Sequence, residues 1–171
     1  MIAAALVLVA AAAASPTTKF TSKQYGYSII LRGGASHWTS SLAFVSWSTG
    51  KISTNAPAFD TFTESRVNRL YLIAARRRPT GSTLGQWTAF FISARPSDCR
   101  KPAPVSSSTL SGAPARVLTF SCTDGYNVIA ITALHDHRGY FMIVASPTSS
   151  SRASDHQAFD AAQRTFRFLP K

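Results

Sequence analysis

From Tyr27 the chain alternates, with Tyr27, Ile29 and Leu31 on one parity and Ser28, Ile30 and Arg32 on the other. A period of two suits a half-buried strand, and Gly33-Gly34 ends it. Trp38 and the aromatic, β-branched run Ser41–Trp47 predict a second strand, closed by Thr49-Gly50. Ala58–Ser65 sets Phe59 and Thr61 against Asp60 and Phe62, a third strand. Asn68–Ala75 sets Leu70, Leu72 and Ala74 against Tyr71 and Ile73. Apolar residues on both parities predict a central strand covered on each face. It runs into Arg76-Arg77-Arg78-Pro79, where the chain returns to water.

The period then changes. Leu84, Trp87, Phe91 and Ala94 form one helical stripe, and Thr83 with Gln86 has the spacing of a capping box, so a helix is expected over about 83–95. Arg95 sits near its negative end and Pro96 stops it. Ser106–Ser111 reads as a polar linker, and Arg116–Cys122 as a strand before the Thr123-Asp124-Gly125 turn. Tyr126–Leu134 and Tyr140–Ala145, apolar on both parities, predict a buried hairpin joined by Asp136–Gly139. Ser154 and Gln157 repeat the capping pattern, and Phe159, Ala162, Phe166 and Leu169 mark a closing helix over about 154–168, with Arg164, Arg167 and Lys171 towards its negative end. Four strands, a helix, three strands and a helix, joined by tight turns, give an α+β domain with a central antiparallel sheet.

Ahead of this pattern, residues 1–15 are an apolar run ending in small residues. They read as a signal peptide cleaved between about Ala12 and Thr17, too short to span a bilayer as a helix. No Lys or Arg precedes the run. Residues 16–24 are expected to be a flexible lead-in, and 25–171 a single domain of a length that buries one core. The expected location is therefore secreted or extracytoplasmic.

That compartment bears on the two cysteines, Cys99 and Cys122. In an exported chain they are expected to pair, whereas a cytoplasmic chain would keep two buried thiols. Their separation excludes the C-x-x-C spacing of redox and zinc sites.

The charge is lopsided, with 18 Lys and Arg against 7 Asp and Glu and a formal net charge of +11. Such a field favours anionic partners without selecting among them. Arg76, Arg77 and Arg78 are the densest basic run, and as extended chain they splay to both sides. If Arg95, Arg100 and Lys101 lie close, the two groups join into one surface for acidic envelope polymer or lipid headgroups. Sequence-specific binding of nucleic acid is not expected, because the aromatic residues nearest the run, Trp87 and Phe91, belong to the core. A monomer without a cofactor is expected.

Tyr25-Gly26-Tyr27-Ser28-Ile29 followed by Trp38, Thr83-Leu84-Gly85-Gln86-Trp87 at the helix start, a Cys just after that helix and the Ser121-Cys122-Thr123-Asp124-Gly125 turn together resemble the PsbP-like superfamily, and in particular small exported PsbP-like proteins of bacteria. The likeness spans roughly Phe20–Leu169. It implies an α/β/α sandwich around an antiparallel sheet. The family's first strand often runs into a Pro, where this chain has Arg32-Gly33-Gly34. The superfamily includes a photosystem II extrinsic subunit and a Ran-binding nuclear transport factor, so the shared fold implies no single task.

Candidate chemistry is sparse. His135 and His137, two apart, would share a strand face and reach one metal ion, with His156 elsewhere. There is no G-x-S-x-G elbow and no Gly-rich phosphate loop, and Glu64 is the only glutamate. Asp60, Asp98, Asp124, Asp136, Asp155 and Asp160 are expected mostly in turns and at helix starts. The favoured function is a secreted or envelope-associated, non-catalytic binding or accessory module. The alternative is a hydrolase or metal-dependent enzyme using His135 and His137.

Overall fold

Trp87 is fully buried and lies against Gly139, near the turn end of the central strands of the sheet. The computed structural model describes residues 16–41, 59–102 and 105–170. In chain order the elements are β1 (Thr17–Ser22), β2 (Tyr27–Arg32), β3 (Trp38–Ser41), β4 (Asp60–Glu64), β5 (Arg69–Arg77), α1 (Leu84–Ser93), β6 (Ser106–Leu110), β7 (Ala113–Ser121), β8 (Tyr126–His135), β9 (Arg138–Pro147), α2 (Arg152–Thr165) and β10 (Arg167–Phe168). Among the described residues, seven strands form one antiparallel sheet in the order β3-β4-β5-β9-β8-β7-β6, and β1-β2-β10 form a second. Helix α1 packs on one face of the large sheet, against β7 and β8. Helix α2 lies on the other, against β2, β8 and β9.

This layering explains why β5, β8 and β9 are apolar on both parities. On the α1 face Phe91 meets Phe141 with ring centres 5.4 Å apart, and the hydroxyls of Thr88 and Thr132 pair at 2.9 Å. On the α2 face Tyr27 stacks on Phe166 and Phe20 packs against Phe62. Complete burial of side chains such as Ile73, Leu118, Ile131 and Met142 stabilises the fold by roughly 1.5–3 kcal/mol each. The largest buried polar side chain on this face is partnered. The Tyr27 hydroxyl donates to Asp60 at 2.9 Å, and burial, followed by the nearby Asp60 carboxylate, raises Tyr27 and pushes the Tyr25 hydroxyl up to about 12. Asp60 is thus buried, within the strand expected over Ala58–Ser65.

Helix α1 starts as its sequence signature requires. Thr83 Oγ1 accepts from the Gln86 N–H and Gln86 Oε1 accepts from the Thr83 N–H. At its other end Arg95 donates to the Ile92 carbonyl at 2.8 Å, the favourable cation near a helix C-terminus. The observed bounds are shorter than about 83–95 because Pro96 and the cysteine loop follow at once. Helix α2 starts earlier than about residue 154. Ser151 is the cap, its hydroxyl accepting from the Ser154 N–H, which leaves the Ser154 side chain for another partner. The helix ends at Thr165, since Phe166 turns into β10.

Three other expectations are corrected. Residues 16–24 are not a loose lead-in: Thr17–Ser22 is a strand in register with β2. Ser106–Leu110 is likewise a strand, not a linker. It turns into β7 through Ser111 and Gly112, both at positive φ, the backbone of a tight two-residue hairpin. The β8–β9 turn is tighter than Asp136–Gly139 and consists of Asp136 and His137 alone, at φ 48° and 59°. The leader over residues 1–15 and the part of the second strand beyond Ser41 lie outside the described residues.

Cys99 and Cys122 are bonded, as expected for an exported chain, and join the loop after α1 to the end of β7 across a separation of 23 residues. In the chain-entropy account such a closure stabilises by about 3 kcal/mol. Replacing both cysteines by Ser is expected to lower stability by about that amount in denaturant titrations. An unchanged unfolding midpoint would show that the bridge contributes nothing.

Candidate functional site

Strand pairing gathers a basic cluster at one end of the large sheet. Arg76 pairs with Gly139 and Arg77 with Arg138, and the Arg78 N–H donates to the His137 carbonyl at 2.7 Å. The run splays as alternation requires. The Arg76 guanidinium sits 5.0 Å over Phe90, and Arg78 lies 5.4 Å over Trp87 and 5.8 Å over Phe90. Arg77 is exposed on the opposite side, beside Arg138, which donates to the Gln24 carbonyl. The Nε of Arg78 is buried without a hydrogen-bond partner. Arg78 lines a cleft of about 160 Å³ shared with Ser82, His135, Asp136 and His137. Arg138 was not among the residues singled out by sequence. Its signal is the hairpin itself, which brings the residue after the tip alongside the basic run.

The second basic group lies elsewhere. Arg95 Nε donates to the Cys99 carbonyl and the Arg100 N–H to the Ser121 carbonyl. Ser121 pairs with Asn127, and Val128 pairs with Ala145, the partner of Leu70. Arg76 lies six residues further along β5 than Leu70, so about 20 Å of strand separates the two groups. Arg95, Arg100 and Lys101 therefore do not join Arg76–Arg78 in one surface.

Nor do the histidines share a strand face. His135 ends β8, with its ring stacked on Phe168 at 4.0 Å and Nε2 3.6 Å from Asp136, while His137 occupies the turn. His156 is on α2. Among the described residues no three His, Cys, Asp or Glu side chains are placed to hold a metal ion.

Sequence reasoning missed a buried polar network. Arg69 shares the inward parity of Tyr71 and Ile73, and only 4% of it is exposed. Its guanidinium donates to Glu64 at 2.8 Å, Asp155 at 3.2 Å, Ser154 at 3.0 Å and Ser146 at 2.9 Å. Burial alone would lower its pKa, but Tyr71, Glu64 and the bonds to Asp155 and Glu64 together raise it. Burial, then the Glu64 charge, pushes Tyr71 up to about 12. Asp155 lies in the first turn of α2, as its reading as a helix-start residue expects, and is also a buried ion-pair partner. Its Oδ2 has no hydrogen-bond partner, and the residue lines a cleft of about 240 Å³ between α2 and the β7–β8 pair.

No family model and no curated protein matches the chain. Solved structures do. The chain is similar to the solution structure of cyanobacterial PsbP (CyanoP) from Synechocystis sp. PCC 6803, with a TM-score of 0.64 and 12% identity, covering 97% of this chain and 98% of that one. It is also similar to a crystal structure of a protein from Bacteroides thetaiotaomicron VPI-5482, with a TM-score of 0.56 and 11% identity, covering 90% of this chain and 48% of the other. With helices on both faces of an antiparallel sheet and near-complete mutual coverage with cyanobacterial PsbP, the chain has the PsbP-like fold.

Proposed function

We propose that the protein is an exported, non-catalytic binding or accessory module whose partner is anionic and docks at the sheet end bearing Arg76, Arg77, Arg78 and Arg138. The observation that carries this reading is the gathering of four arginines on adjoining strand ends, Arg76 and Arg78 on one side of the sheet and Arg77 and Arg138 on the other, with the Arg78 Nε left without a hydrogen-bond partner. Arginine there offers planar donors suited to phosphate or carboxylate. Acidic lipid headgroups or envelope polymer supply such groups at high density. Export is supported by the Cys99–Cys122 bridge, since disulfides persist in oxidising compartments. The PsbP-like fold is compatible with that location. The reading places no catalysis at His135 and His137, because the His135 ring is taken up by Phe168.

Sedimentation with anionic vesicles tests it. Binding is expected to fall steeply as salt rises, because the attraction is screened. Each basic residue near an anionic surface contributes about 1 kcal/mol, so changing Arg76, Arg77 and Arg78 together to Ser is expected to weaken binding about 100-fold. Near-ultraviolet circular dichroism reports whether Trp87 keeps its packing in that variant. Salt-independent binding, or a folded triple variant that binds as the parent does, overturns the proposal.

A further inference from the structure

The cleft beside α2 lies at the other end of the molecule from the basic cluster, in the strand row that ends at the disulfide. Its lining comes from three elements: Thr119 and Ser121 on β7, Asn127 and Ile129 on β8, and Arg152, Asp155 and His156 on α2. Two hydroxyls and an amide thus face a guanidinium, a carboxylate and an imidazole. At about 240 Å³ it is smaller than the roughly 300–1,000 Å³ of sites for drug-sized molecules, and its scale is that of a metabolite.

Asp155 sets the chemistry. It is 3% exposed, and Oδ1 is bonded to Arg69 while Oδ2 has no partner. A buried carboxylate oxygen left unpaired is costly and calls for a donor. That donor should be positive, because the buried Asp155 shares the guanidinium of Arg69 with a second carboxylate, the partly exposed Glu64. Arg152 lies one turn before Asp155 and His156 follows it, both exposed, in the first turns of a 14-residue helix whose N-terminus favours an anion. Positive and negative recognition elements therefore stand side by side in a small cleft.

We infer that this cleft binds a small zwitterion, with a primary ammonium donating to Asp155 Oδ2 and a carboxylate held by Arg152 at the mouth. Thr119, Ser121 and Asn127 supply the remaining hydrogen bonds from the sheet side. Oδ2 is shut off from bulk solvent, so admitting the ammonium requires a local shift of the side chains that line the cleft. The site is independent of the basic cluster and of any anionic macromolecule bound there.

Two-dimensional ¹⁵N–¹H NMR of the disulfide-bonded protein, titrated with glycine and with 4-aminobutanoate, tests the inference. Acetate and sorbitol serve as the anionic and polyol controls. Saturable shifts at the amides of Ser121, Asn127, Ile129, Asp155 and His156 are expected with a zwitterion and not with the controls. Arg152→Ala and Asp155→Asn should each weaken binding at least about tenfold, the loss of one charge-assisted hydrogen bond. Arg152 is exposed, so its variant remains decisive even where Asp155→Asn disturbs the fold. The protein carrying Ser at positions 76, 77 and 78 is expected to respond as the parent does, which separates this site from the anionic one. No shift with either zwitterion, equal shifts with sorbitol, or undiminished binding by Arg152→Ala overturns it.

Discussion

Replacing Gly139 by Ala is expected to destabilise the protein by about 3 kcal/mol and to lower its melting temperature by about 10 °C. A Cβ at this position would stand 2.4 Å from Trp87 Cδ2, 2.6 Å from Cε2 and 2.8 Å from Cε3. The indole has no room to retreat. It is fully buried, stacks on Phe90 at 5.3 Å, and donates through Nε1 to the Tyr140 carbonyl at 2.7 Å. Moving it to make space would strain the packing of α1 and leave a buried N–H unpaired. The glycine is needed here for space and not for an unusual backbone, since only its missing side chain lets the helix approach the sheet. A double-mutant cycle identifies the cause. With Trp87→Phe, a smaller ring, the cost of Gly139→Ala should shrink, so that the double variant is more stable than the sum of the two single changes implies. Additive effects, or a Gly139→Ala protein as stable as the parent, would show that the contact is not what requires glycine.

That contact shows which parts of the fold can be read from sequence. Where a strand buries residues on one or both faces, as in β2, β5, β8 and β9, alternation and apolar runs locate it to within a few residues. The α1 cap was readable because Thr83 and Gln86 bond each other and nothing further away. The same pattern at Ser154 and Gln157 misplaced the α2 cap by three residues, because the Ser154 hydroxyl accepts from distant Arg69 and Ser151 caps in its place. Strands β1 and β6 were missed for a common reason. Each lies at the edge of a sheet and fully buries one residue, Ser22 and Leu110 respectively, so neither carries a hydrophobic alternation. Their signals were backbone ones: the Ser111-Gly112 hairpin turn, and pairing with a neighbour that no local pattern reveals. The basic cluster was half legible. Arg76–Arg78 is a visible run, but the separation from Arg95–Lys101 depends on the order and register of strands, which charge counts do not contain.

The Arg69 network was open to reading from one detail, a guanidinium on the same parity as Tyr71 and Ile73 in a strand covered on both faces. Changing Arg69 to Met, which keeps length and apolar contact, is expected to cost about 3–5 kcal/mol, the range for removing one member of a buried ion pair. The loss does not measure the strength of the pairs. It arises because Glu64 and Asp155 are left with no cation, while Ser146 and Ser154 lose the donors at 2.9 Å and 3.0 Å that satisfy them. One further measurement separates this cause from a simple packing defect. Adding Glu64→Gln and Asp155→Asn to Arg69→Met should recover part of the loss at neutral pH, whereas a cavity would be indifferent to both changes. Arg69→Lys should fall between the two, since a single ammonium lacks the fork that reaches Glu64, Ser146 and Asp155 at once. No recovery in the triple variant would show that burial of the side chain matters here and its charge does not.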